Sequence, residues 1–194
     1  ADLQYIEFVC AKTAEAVNEA VKKLQPASIR IATDKAHGKI AYNYYAPQLY
    51  DPRMSVIQVA GKKKPIATLV NYATHPEIIG DSQGILSPDL CGPLYDRIEE
   101  KSGGLGLFMN GAQGGMVTAD CRGPLGDIQT WDECIRIGQL MADEALRIAE
   151  AATPHENPKL FCAAFALRLP IDSDLLLAIL AHSPLGYKAN DDRT

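Results

Sequence analysis

The chain has 194 residues, of which 47% are hydrophobic, and its 19 lysines and arginines against 24 aspartates and glutamates give a formal charge of −5. This composition is ordinary for a compact globular domain and excludes intrinsic disorder and collagen-like repeats. The acidic balance supplies no general positive field for a phosphate backbone, so we expect no nucleic-acid partner, and no apolar run is long enough for a transmembrane segment.

The first predicted element is an amphipathic helix over residues 2–24. Apolar side chains recur there at helical spacing, and the pattern stops at Gln25 and Pro26. The pattern starts within the first three residues and leaves no entry segment to cap the helix. We therefore expect the sequence to be part of a longer protein.

Strands are predicted next. Residues 27–33 alternate with a period of two, and a second β-prone stretch, 39–45, follows the turn at His37 and Gly38. Residues 55–60 and 65–72 form a predicted hairpin whose tip, Gly61 to Lys64, is a solvated lysine triplet.

The rest of the chain alternates helices and strands. Helices are predicted over 88–101 and 128–152, and from a cap at Asp172 or Ser173 to Ala181; the apolar arc of the long helix is Ile135, Leu140, Ala142, Leu146 and Ile148. Strands are predicted over 105–109, as a buried strand, and over 161–169. The pattern predicts an α/β fold in a single domain spanning 1–194, with a mixed β-sheet flanked by helices and an early β-hairpin.

Reactive side chains concentrate in three irregular segments, 71–77, 80–89 and 110–120, each next to the end of a predicted strand or helix. In open α/β sheets that edge is where ligands bind. His75 follows an apolar strand, and its imidazole suits either a metal ligand or a general base, with a backbone-bonded loop histidine as the structural alternative. The other three histidines lie in turn-like contexts and are predicted to be structural.

The segment after the strand 105–109 is rich in glycine, which allows backbone amides to approach a ligand and to bind an oxyanion. The candidate catalytic residues are Thr118, Gly115 and Asp120. The candidate substrate-binding residues are Asn110, Gln113, Gly114 and Asp81. A turn of this kind also serves simply to let two backbones cross, and helix capping is the favoured role for Asp89.

The order of these motifs, with NYATHPE after one strand and NGAQGGMVTAD after another, resembles the N-terminal catalytic domain of the neutral/alkaline non-lysosomal ceramidase family. The resemblance covers most of residues 1–169. It implies a zinc-dependent amidase that hydrolyses the N-acyl bond of a small lipid-like substrate. It also implies that His75 is a zinc ligand, that Thr118 contacts the substrate amide, and that the protein is secreted or periplasmic.

Several positions depart from the family pattern. Met116, Thr118 and Ala119 stand where the family has an acid, Ser and Pro, and Asn43-Tyr44-Tyr45 stands where it has Asn-Arg-Ser. The family's other zinc ligands lie upstream or downstream of this sequence, so the resemblance implies an incomplete metal site that the remainder of the parent chain completes. Two alternatives stay open: a noncatalytic lipid- or carbohydrate-binding domain, and a metal-free hydrolase with Thr118 as nucleophile.

Overall fold

The structure is a computed structural model that describes residues 2–82, 84–114 and 117–184. Its helices are α1 (Leu3–Lys22), α2 (Cys91–Ser102), α3 (Trp131–Ala151) and α4 (Asp174–Ala181). Its strands are β1 (Ser28–Lys35), β2 (Ala41–Asn43), β3 (Arg53–Ala60), β4 (Pro65–Tyr72), β5 (Leu105–Asn110), β6 (Val117–Ala119), β7 (Arg122–Gly123) and β8 (Gly126–Asp127). One compact unit ends at Pro158, and a second, which contains α4, begins at Lys159.

A four-stranded mixed sheet organises the first unit, in the order β1-β3-β4-β5. β3 pairs antiparallel with both β1 and β4, whereas β4 and β5 run parallel. Lys62, Lys63 and Lys64 lie exposed at the tip of the β3–β4 hairpin. The predicted α/β class, mixed sheet and early hairpin are therefore confirmed.

The core lies between one face of this sheet and the helices α2 and α3. Met54, Val56 and Val70 are fully buried on the sheet side, facing Leu94 and Ile98 of α2 and a row of small and apolar side chains of α3. Gly103 ends α2 in the left-handed conformation, with φ of 76°, as expected for a helix C-terminus.

The opposite face of the sheet is open to solvent. Ile31, Ile57, Leu69 and Leu107 are neighbours in register across all four strands. The prediction that β5 is a buried strand was wrong, since Leu105, Leu107 and Met109 are 60%, 46% and 52% exposed. Side chains alternate between faces along a strand, and only the face of β5 toward α2 is covered among the described residues.

The first helix is confirmed, and its start is capped. The Asp2 carboxylate accepts hydrogen bonds from the backbone N–H groups of Gln4 and Tyr5, 3.0 and 3.2 Å away. No residue of α1 is buried, and its apolar stripe, including Ile6, Val9 and Val17, is exposed.

We expect the backbone amides of α1 to exchange hydrogen with solvent far faster than those of α3. An amphipathic helix draws most of its stability from burying its apolar face, and α1 buries none. Hydrogen exchange followed by mass spectrometry measures the difference between the two helices. Protection of α1 as strong as that of α3 would mean that its apolar stripe is covered in solution.

Two local predictions were wrong. Residues 161–169 form no strand in the described chain, although their sequence pattern predicts one. Of the stretch 39–45 only Ala41–Asn43 is a strand, and it pairs antiparallel with β6. Ser173 caps α4 as predicted, its hydroxyl accepting from the N–H of Leu176.

The long helix is confirmed as α3, but its buried arc differs in part from the predicted one. Ala142 and Ile148 are buried as expected, whereas Ile135 is exposed and Ile137 and Met141 are fully buried. Apolar residues occur on more than one side of this helix, so the predicted arc included side chains that face solvent. Among the described residues, none of the helices combines the length and hydropathy required to cross a membrane.

Candidate functional site

The parallel pairing of β4 with β5 brings two of the predicted site segments together. Tyr72 and Asn110 are partners at the ends of these strands, and the Gly111 N–H donates to the Tyr72 carbonyl over 2.8 Å. A Cβ at Gly111 would lie 3.1 Å from the backbone of Tyr72 and Ala73, so glycine permits this close approach. The turn after β5 therefore lies beside the segment that carries His75.

His75 is half-buried and anchored through one ring nitrogen. Its Nδ1 lies 2.5 Å from the carbonyl oxygen of Val117 in β6. A carbonyl can only accept, so Nδ1 carries the proton and Nε2 of the neutral ring keeps its lone pair. Metal-binding histidines are commonly oriented by this same type of bond, and a general base needs the same free nitrogen.

Thr118 follows Val117 in β6 and is paired with a carboxylate. Its hydroxyl donates to Oε1 of Glu77 over 2.7 Å. Glu77 comes two residues after His75, so one short segment holds both the imidazole and the partner of Thr118. Two hydrogen bonds thus join residues 75–77 to adjacent positions of β6.

These side chains line one cavity of about 660 Å³. Its walls include the predicted residues His75, Asp81 and Thr118, together with Glu77, Asp89 and Tyr44. Asp127 adds a further carboxylate, and no lysine or arginine lines the cavity among the described residues. The cavity therefore has a negative electrostatic potential, which favours cations and hydrogen-bond donors.

Asp89 fixes the loop that leads into α2. Its two carboxylate oxygens accept from the backbone N–H groups of Ile79 and Leu90, 2.9 and 2.7 Å away. It is buried and adopts a left-handed φ of 49°, which aspartate tolerates better than most residues. Asp89 stabilises the cavity wall at the helix entry, but the capping role that the sequence favoured was wrong, since Leu90 is the N-cap of α2 and no side chain caps that helix.

Asp120 is held outside this cavity by arginine. Arg122 donates from Nε and Nη2 to the two carboxylate oxygens over 2.8 and 2.7 Å, and its guanidinium stacks 3.9 Å above the Tyr42 ring. Burial raises the pKa of the Asp120 carboxyl, but the hydrogen bonds and charge of Arg122, with the charge of Lys39, outweigh it and leave that pKa below its ordinary value.

The Arg122→Met variant is expected to lower the free energy of unfolding at pH 7 by about 1–2 kcal/mol, because it leaves a buried carboxylate without its main partner. The pKa of Asp120 is lower in the folded protein than its value of 3.8 in the unfolded chain. The ion pair therefore stabilises the fold at pH values above 3.8, and this stabilisation is lost as the pH falls through the pKa of the folded protein. Urea unfolding at pH 7 and pH 3 measures the difference, which should shrink at pH 3.

The surface pair of Arg53 and Asp51 provides the control for that experiment. Its bonds are equally short, 2.9 and 2.8 Å, but both side chains are more exposed to solvent. Arg53→Met should therefore cost less than about 1 kcal/mol at pH 7. Equal costs for the two variants would contradict the importance of burial at Asp120.

The glycine-rich turn is tied to the segment that precedes His75. The Asn110 side chain donates to the Thr74 carbonyl over 2.8 Å and also to Oε1 of Gln113. Gly114 is exposed, and an added Cβ there would meet no atom of the described residues within 4 Å. Asn110, Gln113 and Gly114 are not among the residues that line the cavity, and Gly115 lies outside the described residues.

No protein-family model and no curated protein matches the sequence. Solved structures do match. Neutral ceramidase from Pseudomonas aeruginosa superimposes with a TM-score of 0.60 at 18% identity, covering 71% of this chain and 25% of that one. The chain shares this fold with part of neutral ceramidase. A second structure, a ceramidase complexed with C2, gives a TM-score of 0.55 at 18% identity, over 66% of this chain and 23% of that one.

The chain thus spans about a quarter of the length of the ceramidases that it matches. The predicted resemblance holds at the level of the fold. For this chain, the activity and ligands of a whole ceramidase are therefore a proposal.

The described residues do not provide a full set of metal ligands. No group of three or more His, Cys, Asp and Glu side chains that could hold an ion is present in residues 2–82, 84–114 and 117–184. A stable zinc site uses three or four protein ligands. The Nε2 of His75 fits as one of them, and the others would have to come from elsewhere.

Glu77 is the site residue that sequence reasoning did not single out. Its partner Thr118 lies 41 positions later, so the pairing depends on the fold. A local signal existed, because side chains two residues apart in an extended segment share a face, and Glu77 is two residues after His75. Tyr44, which replaces an arginine of the family pattern, does line the cavity.

Proposed function

We propose that this chain is part of a ceramidase-like hydrolase that cleaves the N-acyl amide bond of a small lipid-like substrate in the cavity around His75. The main support is the bond from His75 Nδ1 to the Val117 carbonyl, since it leaves Nε2 free on a cavity-lining residue. The shared fold with part of neutral ceramidase supports the same class of reaction.

The proposal assigns His75 to hold zinc jointly with residues of the remainder of the parent chain. When bound, zinc would polarise the substrate carbonyl and lower the pKa of a bound water toward about 7. The Val117 carbonyl keeps the imidazole in the tautomer that presents Nε2.

The other residues of this chain would bind and orient the substrate. Thr118 and Asp81 line the cavity and are proposed to contact polar groups of the substrate. The amides of Gly114 and Gly115 are proposed to stabilise the oxyanion, because glycine lets backbone N–H groups approach a ligand closely. Asp120 is engaged with Arg122, so in this proposal it positions the end of β6 rather than meeting the substrate.

The proposal is tested with the full-length gene product that contains this chain. Purified protein should contain zinc by elemental analysis and should release fatty acid from a ceramide, and a chelator should abolish the release until zinc is restored. Binding of the ceramide without any turnover by the zinc-loaded protein would instead support the noncatalytic lipid-binding alternative.

One observation favours a second candidate, a metal-free hydrolase with Thr118 as nucleophile. Glu77 accepts a hydrogen bond from the Thr118 hydroxyl over 2.7 Å, which is the arrangement of a nucleophile with its general base. The same assay separates the two candidates. Hydrolysis that survives the chelator but is lost in Thr118→Val would favour the second.

A further inference from the structure

The Thr118 hydroxyl can act toward the cavity only as a hydrogen-bond acceptor. An ionised carboxylate accepts and never donates, so the 2.7 Å contact with Glu77 Oε1 commits the single proton of Thr118. The lone pairs of the hydroxyl oxygen are then available to a ligand. A group that binds Thr118 must therefore bring its own hydrogen.

The charges around the cavity favour the same kind of ligand group. Asp81 and Asp127 line it together with Glu77, and no described lysine or arginine does. A negative potential stabilises the positive end of an N–H or O–H dipole and disfavours a lone pair. A carbonyl or ether oxygen would be repelled at the position next to Thr118.

We propose that Glu77 is a positioning residue that holds Thr118 as an acceptor, so that the pair selects the N–H of a secondary amide. This inference rests on the proposed amide-hydrolase function. An ester and an N-methyl amide share the carbonyl of such a substrate but have no N–H beside it. Both would leave the Thr118 lone pair facing another lone pair or a methyl group.

The test measures binding, which does not depend on turnover. Three ligands with the same octanoyl chain are titrated into the full-length protein and followed by NMR: N-(2-hydroxyethyl)octanamide, its N-methyl derivative, and 2-hydroxyethyl octanoate. The wild type should bind the secondary amide about fivefold more tightly than either analogue, as expected for one hydrogen bond.

Variants of Glu77 then separate positioning from a merely structural role. In Glu77→Ala the Thr118 hydroxyl is free to rotate and donate, so the preference should fall below about twofold. Glu77→Gln retains an oxygen that accepts from Thr118 and should keep the preference. Glu150→Ala, on the exposed surface of α3, is the carboxylate control and should bind like the wild type.

Equal binding of the three ligands by the wild type, no binding of any of them, or an unchanged preference in Glu77→Ala would overturn the inference. The hydrolysis assay judges the proposed function separately. Turnover of the amide without selective binding would support the hydrolase function and contradict this inference. Selective binding without turnover would support this inference and contradict the hydrolase function.

Discussion

Replacing Gly138 with alanine is expected to lower the free energy of unfolding by about 2–3 kcal/mol. A Cβ at this position of α3 would lie 2.5 Å from the Leu90 carbonyl oxygen, 2.9 Å from Pro93 Cβ and 3.1 Å from the Leu94 backbone nitrogen. Two of these atoms belong to the backbone at the start of α2, so the two helices would have to separate. The gain in helix propensity, about 1 kcal/mol, offsets only part of this cost.

Thermal unfolding measures the effect, and the midpoint should fall by about 4–12 °C for a chain of this size. Gly114→Ala is the matched control for stability, since an added Cβ there meets no atom of the described residues within 4 Å. A Gly138→Ala variant as stable as the wild type would mean that α2 and α3 do not approach as closely as the structure indicates.

The elements that the sequence predicted well are those specified by local patterns. The 3.6-residue period of α1, α2 and α3 and the two-residue period of the β3–β4 hairpin depend on neighbouring residues alone. Their existence is therefore encoded within windows of 10 to 20 residues. Partners distant in sequence are not encoded in this way, which is why the pairing of β2 with β6 was missed.

Coverage of apolar surfaces was the least predictable feature of the fold. The pattern of β5 indicated burial, yet Leu105, Leu107 and Met109 face solvent, and so does the apolar stripe of α1. A hydrophobic pattern shows which face requires a partner but not whether a partner is present. Residues 161–169 likewise alternate like a strand but form none in the described chain.

For the candidate site, the sequence identified the segments but not every side-chain pairing. His75 and Thr118 do line one cavity, but they come from different sheets, and the bond from His75 to Val117 in β6 joins them. The partner of Asp120 is Arg122, only two residues further along the chain, so this pairing was within reach of sequence reasoning. The pairing of Thr118 with Glu77 could be identified only from the folded structure.

The His75→Asn variant is expected to lose amide hydrolysis by about 10²–10⁴-fold in the full-length protein. Asparagine places a side-chain N–H near the position of Nδ1 and can still donate to the Val117 carbonyl, but it has no counterpart of Nε2. A metal ion supplies several kcal/mol of transition-state stabilisation, and each 1.36 kcal/mol is a factor of ten in rate. The fold should be retained while zinc binding falls.

The measurements are kcat/KM on a ceramide, zinc content by elemental analysis, and the midpoint of thermal unfolding. His155→Ala is the matched histidine control, because the bonds that tie His155 to Ile29, 2.9 and 2.8 Å long, are made by backbone atoms, which the substitution keeps. It should keep full zinc and full activity. The substitution deletes the ring nitrogen that is proposed to bind the metal and puts no equivalent group in its place. If His75→Asn nevertheless keeps the zinc content and the turnover of the wild type, the imidazole has no role in the reaction.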